Sequence, residues 1–170
     1  MAAGESHYDV IVCGAGVIGS ATALNLAKRG KKVLLLEQFD FLHRRGSSHG
    51  ESRIIRKTYP EEFYTNMMFR AFDEWDRLQA EAGTDCITWT GGIDMAPDGN
   101  PDITSLIASC RRSQVPHQVL DSEGIRERFP QFTNVPDAYT GVYCPEAGVV
   151  NATKAVGLMQ VGLVCPQLSD

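Results

Sequence analysis

The chain has 170 residues, 43% of them hydrophobic and 22% charged, with 16 Lys+Arg against 21 Asp+Glu and a formal charge of −5. That is the composition and size of a globular protein of about one domain, typically ~100–200 residues. It excludes a mostly disordered chain, and also a general nucleic-acid binder, which would carry a basic surplus.

Tyr8-Asp-Val-Ile-Val-Cys13 is a short apolar run that stops at Gly14, the pattern of a buried strand. From Val17 to Arg29 the small and apolar residues Ala21, Leu24 and Ala27 recur at helical spacing, and Gly30 is placed to end the helix. Val33-Leu-Leu-Leu36 reads as a second buried strand, closed by Glu37. Strand, helix and strand within about 30 residues make a βαβ unit with parallel strands and a right-handed crossover. The fold class is therefore α/β with a Rossmann-like start.

The turn between the first strand and the helix, Gly14-Ala15-Gly16-Val17-Ile18-Gly19, is a GxGxxG match. Such a match is weak alone, but here it follows a strand, opens a helix and has an acidic residue at the end of the next strand. Gly14 permits the tight turn, Gly16 lets backbone approach a pyrophosphate, and Gly19 allows close packing of helix on strand. The anion would sit at the helix N-terminus, near the amides of Val17 and Ile18. Glu37, followed by Gln38, is placed to accept hydrogen bonds from the adenosine ribose. An acid there disfavours a 2′-phosphate, so NADP fits least, while FAD and NAD are not separated by these residues.

Phe39 to Tyr59 has no clean period and reads as a functional loop with a helical turn at Ser52 to Arg56. It carries Arg44, Arg45, Arg53, Arg56 and Lys57 among Gly46, Ser47, Ser48 and Gly50. If the turn is helical, Arg53 and Arg56 share a face and suit an anionic ligand or a reduced, negatively charged ring. A solvated basic loop is the competing reading, preferred for Arg44 and Arg45. His7, His43 and His117 stand isolated, which fits surface or packing roles.

Downstream, Tyr64, Met67, Met68, Ala71, Trp75 and Leu78 define one face of a helix over 61–82, ended by Gly83. Met67, Met68, Phe72 and Trp75 are read as core. Ile87–Thr90 and Ile93–Met95 are strand pieces about a bend at Gly91-Gly92. A helix over 101–112, a short strand at Val119-Leu120, a helix from Asp121 or Ser122 to Phe129-Pro130 and a strand over 139–144 follow. Asn151 caps a last helix, which breaks at Cys165-Pro166.

Cys13, Cys86, Cys110, Cys144 and Cys165 are five cysteines with no CxxC spacing. Neither a disulfide framework nor a metal site is expected, and a reducing compartment is the simplest setting. The first residues lack the order of a signal peptide. No apolar run nears the ~18 residues of a membrane span. Leu168-Ser169-Asp170 is not a peroxisomal address.

Taken together, the glycine turn, Gly46-Ser47-Ser48-His49-Gly50-Glu51-Ser52-Arg53-Ile54-Ile55-Arg56 and Tyr59 resemble the N-terminal part of the monomeric sarcosine oxidase family. That family includes pipecolate oxidases and N-methyltryptophan oxidase. The likeness continues through Thr90-Gly91-Gly92, Arg128-Phe129-Pro130 and Glu146-Ala147-Gly148-Val149-Val150. It implies an FAD-dependent oxidoreductase that oxidises the CH–NH group of N-methyl or cyclic amino acids, with O2 reduced to H2O2.

By resemblance, Ser47, Ser48 and Ile54 would lie along FAD, His49 and Arg53 beside the isoalloxazine ring, and Arg56 at the substrate carboxylate. The implied organisation is an FAD-binding segment over 1–85, the start of an interleaved α+β substrate domain over 86–150, and an atypical tail over 151–170. Family members are more than twice as long, and their flavin-linking cysteine, O2-activating lysine and second carboxylate-binding cation map to no residue here. The chain therefore reads as a truncated, inactive product. The implied partners are a small amino acid and O2, with no nucleic acid or membrane, in a monomer that is cytoplasmic or peroxisomal. A non-catalytic FAD-binding isoform and an NAD-dependent dehydrogenase are the alternatives.

Overall fold

A computed structural model describes residues 7–164. In chain order the elements are β1 (Val10–Cys13), α1 (Val17–Lys28), β2 (Val33–Leu36), β3 (Arg53–Ile55), α2 (Glu62–Ala82), β4 (Ile87–Trp89) and β5 (Gly92–Pro97). They continue with α3 (Pro101–Arg112), β6 (Gln118–Leu120), α4 (Ser122–Arg128), β7 (Tyr139–Cys144), β8 (Gly148–Val150) and α5 (Ala152–Val164). The described residues form two compact units. The first holds those up to Arg53, Arg77–Cys86 and those from Val150, and the second holds Ile54–Asp76 and Ile87–Val149.

In the first unit β1 and β2 pair in parallel, from Val10 opposite Val33 to Cys13 opposite Leu36. The α1 helix connects them, giving the expected βαβ unit. It stops at Gly30, whose φ of +75° is the left-handed conformation that ends a helix. Small residues let α5 pack closely on α1: a Cβ on Gly162 would lie 3.1 Å from Leu24 Cδ1. The expected cap of α5 is present, with Asn151 Oδ1 accepting from the Lys154 amide at 2.9 Å. The expected break at Cys165-Pro166 lies outside the described residues. Among those residues β1 pairs only with β2, and Ile11 is 59% exposed.

The second unit carries two three-stranded sheets, ordered β3-β8-β4 and β5-β7-β6. Arg53 and Val150, at the ends of β3 and β8, count with the first unit. The β7 strand is antiparallel to both neighbours, with Gly92 opposite Cys144 and Gln118 opposite Tyr143. Ile103, Leu106 and Cys110 of α3 close a core with Val115, Val142 and Cys144. Both flanking helices begin on side-chain caps: Asn100 accepts from the Asp102 and Ile103 amides, and Asp121 from that of Gly124.

Two sequence expectations need correction. Ser52 to Arg56 is not a helical turn, because Arg53–Ile55 is a strand. Arg53 lies on that strand and Arg56 just past its end, so the helix face expected to carry both does not form. The strand pieces expected on either side of Gly91-Gly92 are present as β4 and β5. Gly91, at φ +69°, redirects the chain so that β4 and β5 join different sheets.

The buried face of α2 is also rotated from the apolar stripe. Tyr64 and Met67 are exposed, whereas Thr65, Phe72, Leu78 and Gln79 are buried. Two polar members of that face are satisfied internally. The Thr65 hydroxyl meets Ser109 Oγ at 3.1 Å, and Gln79 Oε1 accepts from the Cys86 amide at 2.8 Å. A search for apolar periodicity misses both.

Ile125 is fully buried, and its Cδ1 lies 3.0 Å from where a Cβ on Gly141 would stand. Ile125→Ala should therefore destabilise the second unit by about 2–5 kcal/mol, the usual cost of emptying a core isoleucine site. Urea denaturation followed by tryptophan fluorescence measures it, and a loss within about 0.5 kcal/mol, typical of a surface site, would contradict this packing.

Candidate functional site

The first unit builds a tight cradle from the glycine turn. Gly14, at φ +97°, donates its amide to Leu36 O at 2.7 Å and so ties the turn to the end of β2. Gly19 is required by packing, since a Cβ there would stand 1.7 Å from Gly14 O. Gly16 is the N-cap of α1, with extended backbone and no side-chain cap of its own. A Cβ on Gly16 would come within 3.0 Å of Ser48 Oγ.

The amides of the turn have distinct fates. Ala15 donates to Glu37 Oε2 at 2.8 Å, and Val17 to Ser48 Oγ at 3.0 Å. The amides of Gly16, Ile18 and Gly19 donate to none of the described residues. Free N–H groups at a helix start are the arrangement that receives an anion. These residues fit a dinucleotide pyrophosphate.

Glu37 is held from several sides. Its side chain is 9% exposed, its Oε1 accepts from the Phe39 amide at 3.1 Å, and His43 Nε2 lies 3.4 Å from the same oxygen. The Ala15 amide, first, and then the Phe39 amide pull its pKa below the ordinary 4.5. His43, expected to be isolated, thus stands against the acidic residue of the fingerprint. It also meets the Phe39 ring edge-on at 5.1 Å, and Arg45 covers the same ring at 4.4 Å. Spacing of six residues in an irregular loop offers no period by which this pairing could have been found. Gln38 is exposed.

The Ser47–Arg53 loop folds back on itself in the same unit. Arg53 Nε donates to Ser47 O at 3.2 Å and Nη1 to Ser52 O at 2.7 Å. Gly50 is clamped to α5, its amide donating to Thr153 Oγ1 at 2.8 Å while its carbonyl accepts from the Thr153 amide at 3.1 Å. Gln160, also on α5, donates through Nε2 to Ala15 O at 3.0 Å and Ser20 Oγ at 3.2 Å. Thr153 and Gln160 support the cradle from more than a hundred residues away, and no local motif marks them. His49 is half-buried and Ile54 exposed.

Arg56 belongs to the second unit and is paired there. Its Nη1 bonds Asp94 Oδ1, and its guanidinium lies 5.0 Å from the centre of the Tyr59 ring. Thr58 Oγ1 donates to the other Asp94 oxygen at 2.8 Å. Neighbouring Lys57 turns elsewhere, bonding Glu146 at 2.7 Å over the rings of Phe69 and Phe72.

The family model described as FAD dependent oxidoreductase (DAO) matches residues 9–161. The chain belongs to this family. FAD is the cofactor of the family, so the choice left open between FAD and NAD falls to FAD, and the NAD-dependent dehydrogenase alternative is set aside. The chain is 45% identical over 156 residues to a probable sarcosine oxidase of Arabidopsis thaliana, covering 92% of this chain and 38% of the relative. It is 44% identical over 160 residues to the peroxisomal sarcosine oxidase of Homo sapiens, covering 94% and 41%.

The structure of NikD, described as an unusual amino acid oxidase essential for nikkomycin biosynthesis, superimposes with a TM-score of 0.81 at 25% identity. That match covers 94% of this chain and 42% of NikD. L-proline dehydrogenase from P. horikoshii shares the fold, with a TM-score of 0.76 at 21% identity over 94% of this chain and 42% of that one. The chain thus spans about two fifths of the length of the relatives it matches.

Two predictions follow from the cradle. Gly19→Ala should destabilise the first unit by about 1–3 kcal/mol or more, since the added methyl overlaps backbone that has no flexible end to move aside. Hydrogen exchange of the β1 amides reports it, and unchanged protection would contradict the packing. Because the Glu37 pKa is lowered on folding, its contribution is complete above the ordinary 4.5 and is lost as pH falls through the folded value. Glu37→Gln should therefore flatten the acid side of the stability profile, measured by denaturation at a series of pH values. An unaltered acid limb would count against the clamp.

Proposed function

We propose that this chain is the cofactor-binding and substrate-facing N-terminal part of a flavoenzyme that oxidises the CH–NH group of N-methyl or cyclic amino acids. Oxygen would be reduced to H2O2, as in sarcosine and pipecolate oxidases. The observation that carries this reading is the glycine turn with its free amides, locked to Glu37 and followed by the Ser47–Arg56 run.

On this reading the first unit holds FAD. Gly14, Gly16, Val17, Ile18 and Gly19 face the pyrophosphate, and Glu37 and Gln38 take the adenosine end. Ser47, Ser48, His49, Arg53 and Ile54 serve the flavin end, and the second unit supplies Arg56 for the substrate carboxylate. When bound, FAD accepts the electron pair that oxidation of an amine releases. The protein's share is positioning and charge: cationic Arg53 favours electron density on a nearby ring, and Arg56 fixes the amino acid.

The partners are a small amino acid and O2, without nucleic acid or membrane, and the protein is an intracellular monomer, cytoplasmic or peroxisomal. No helix among the described residues is long and apolar enough to cross a membrane. A relative named as peroxisomal supports the second compartment.

By itself the chain binds FAD weakly and does not turn over. Parallel strands are stable when covered on both faces. Here Ile11 is exposed, and an apolar groove of about 940 Å3 opens along β2 and α5, lined by Val33, Leu35, Leu42, Gly157, Val161 and Leu163. The same groove favours a second reading, a non-catalytic form that competes for FAD or for folding partners.

Absorbance in the flavin bands after purification, with and without acid release, tests the proposal together with peroxide production from sarcosine. The expected result is sub-stoichiometric, acid-releasable flavin and no peroxide. A yellow chain that makes peroxide would overturn the inactivity. Failure to take up any FAD at saturating cofactor would overturn the cofactor role.

A further inference from the structure

Arg56 does not meet a ligand as an isolated cation. Asp94 and Thr58 are built around it from the second unit alone. Asp94 lies on β5, and Thr58, 1% exposed, fixes its Oδ2 while Oδ1 bonds Arg56 Nη1. The Arg56 and Asp94 side chains remain 32% and 24% exposed, so both heads reach the surface of the unit. Nε and Nη2 of Arg56 donate to none of the described residues. Lys57 cannot substitute as the cation, because Glu146 and two aromatic rings hold it.

A carboxylate fixed on one nitrogen of a guanidinium has two effects. It cancels most of the attraction that the arginine would exert on a simple anion. It also leaves an ordered pair of opposite charges side by side, since a carboxylate oxygen accepts more than one hydrogen bond. Such a pair matches a ligand that carries both charges on neighbouring atoms: carboxylate on the free guanidinium edge, ammonium on the acid.

Resting on the reading that Arg56 receives the substrate carboxylate, we infer that Asp94 is the specificity-determining residue beside it. The Arg56–Asp94 pair selects zwitterionic amino acids and disfavours plain carboxylates. Thr58 is the positioning residue that keeps Asp94 turned toward the arginine.

The test uses the full 170-residue chain with FAD present. Affinities for sarcosine and for propionate, a carboxylate of similar size without nitrogen, are measured by calorimetry. Asp94→Asn keeps an oxygen for Arg56 and removes the charge. It should lower the sarcosine-over-propionate ratio by roughly tenfold, the lower end of what a hydrogen bond to a charged group contributes. Propionate affinity itself should rise. Asp94→Ser provides the same test if the asparagine variant does not fold, and Arg56→Met should weaken both ligands.

A ratio unchanged in the Asp94 variants, with both ligands lost in Arg56→Met, overturns this inference and leaves the arginine reading standing. Unchanged sarcosine binding in Arg56→Met, or no sarcosine binding by the unaltered chain, overturns the arginine reading and this inference with it.

Discussion

The cofactor unit depends on one hydrogen bond, from the Ala15 amide to the Glu37 carboxylate. It spans 22 residues and joins the start of α1 to the end of β2. With it, the acidic residue is tied to the glycine turn at the start of α1. Ser48 fixes the Val17 amide and Gln160 fixes the Ala15 carbonyl, which leaves the Gly16, Ile18 and Gly19 amides of the turn without an acceptor among the described residues. The absence of a Cβ at Gly19 lets the start of the helix pack against the Gly14 carbonyl.

The clamp changes the usual account of the acid. Glu37 is not an idle acceptor waiting for a ribose, because it already accepts from Ala15 and Phe39 and stands beside His43. Those amides favour its ionised form and hold its pKa below the ordinary value, and its remaining lone pairs are the ones open to a nucleotide. In the second unit, Asp94 sets the charge around Arg56 in a comparable way. In both places an acid's first role is to order backbone or side chain, and any ligand meets a site whose charges are already paired.

Much of this was legible in the sequence, for physical reasons. The βαβ unit announced itself because a parallel strand reads as an unbroken apolar run and the turn demands glycine, although the expected burial is not seen: no residue of β1 or β2 is buried here. The helix start at Ser122 was marked by Asp121, whose short side chain satisfies an orphan amide, whereas Asn100, which does the same ahead of Pro101, emerged from the structure. Misreadings arose where tertiary contact outweighed local pattern. Thr65 and Gln79 lie on the buried face of α2 because each has a hydrogen-bond partner inside, while Met67 faces out. Arg53–Ile55 is strand because β8 offers it a ladder from almost a hundred residues away. His43, Asp94, Thr153 and Gln160 joined their sites through the fold, which neither spacing nor residue type could show.

The central claim is that the free amides of Gly16 and Ile18 receive the pyrophosphate of FAD. Amide NMR of the chain titrated with ADP tests it most directly, because ADP carries the two phosphates without the flavin. The account predicts that the largest shifts fall on Gly16 and Ile18, with smaller ones at Ala15 and the residues around Glu37. Shifts confined to other parts of the chain, or none at saturating ADP, would contradict it.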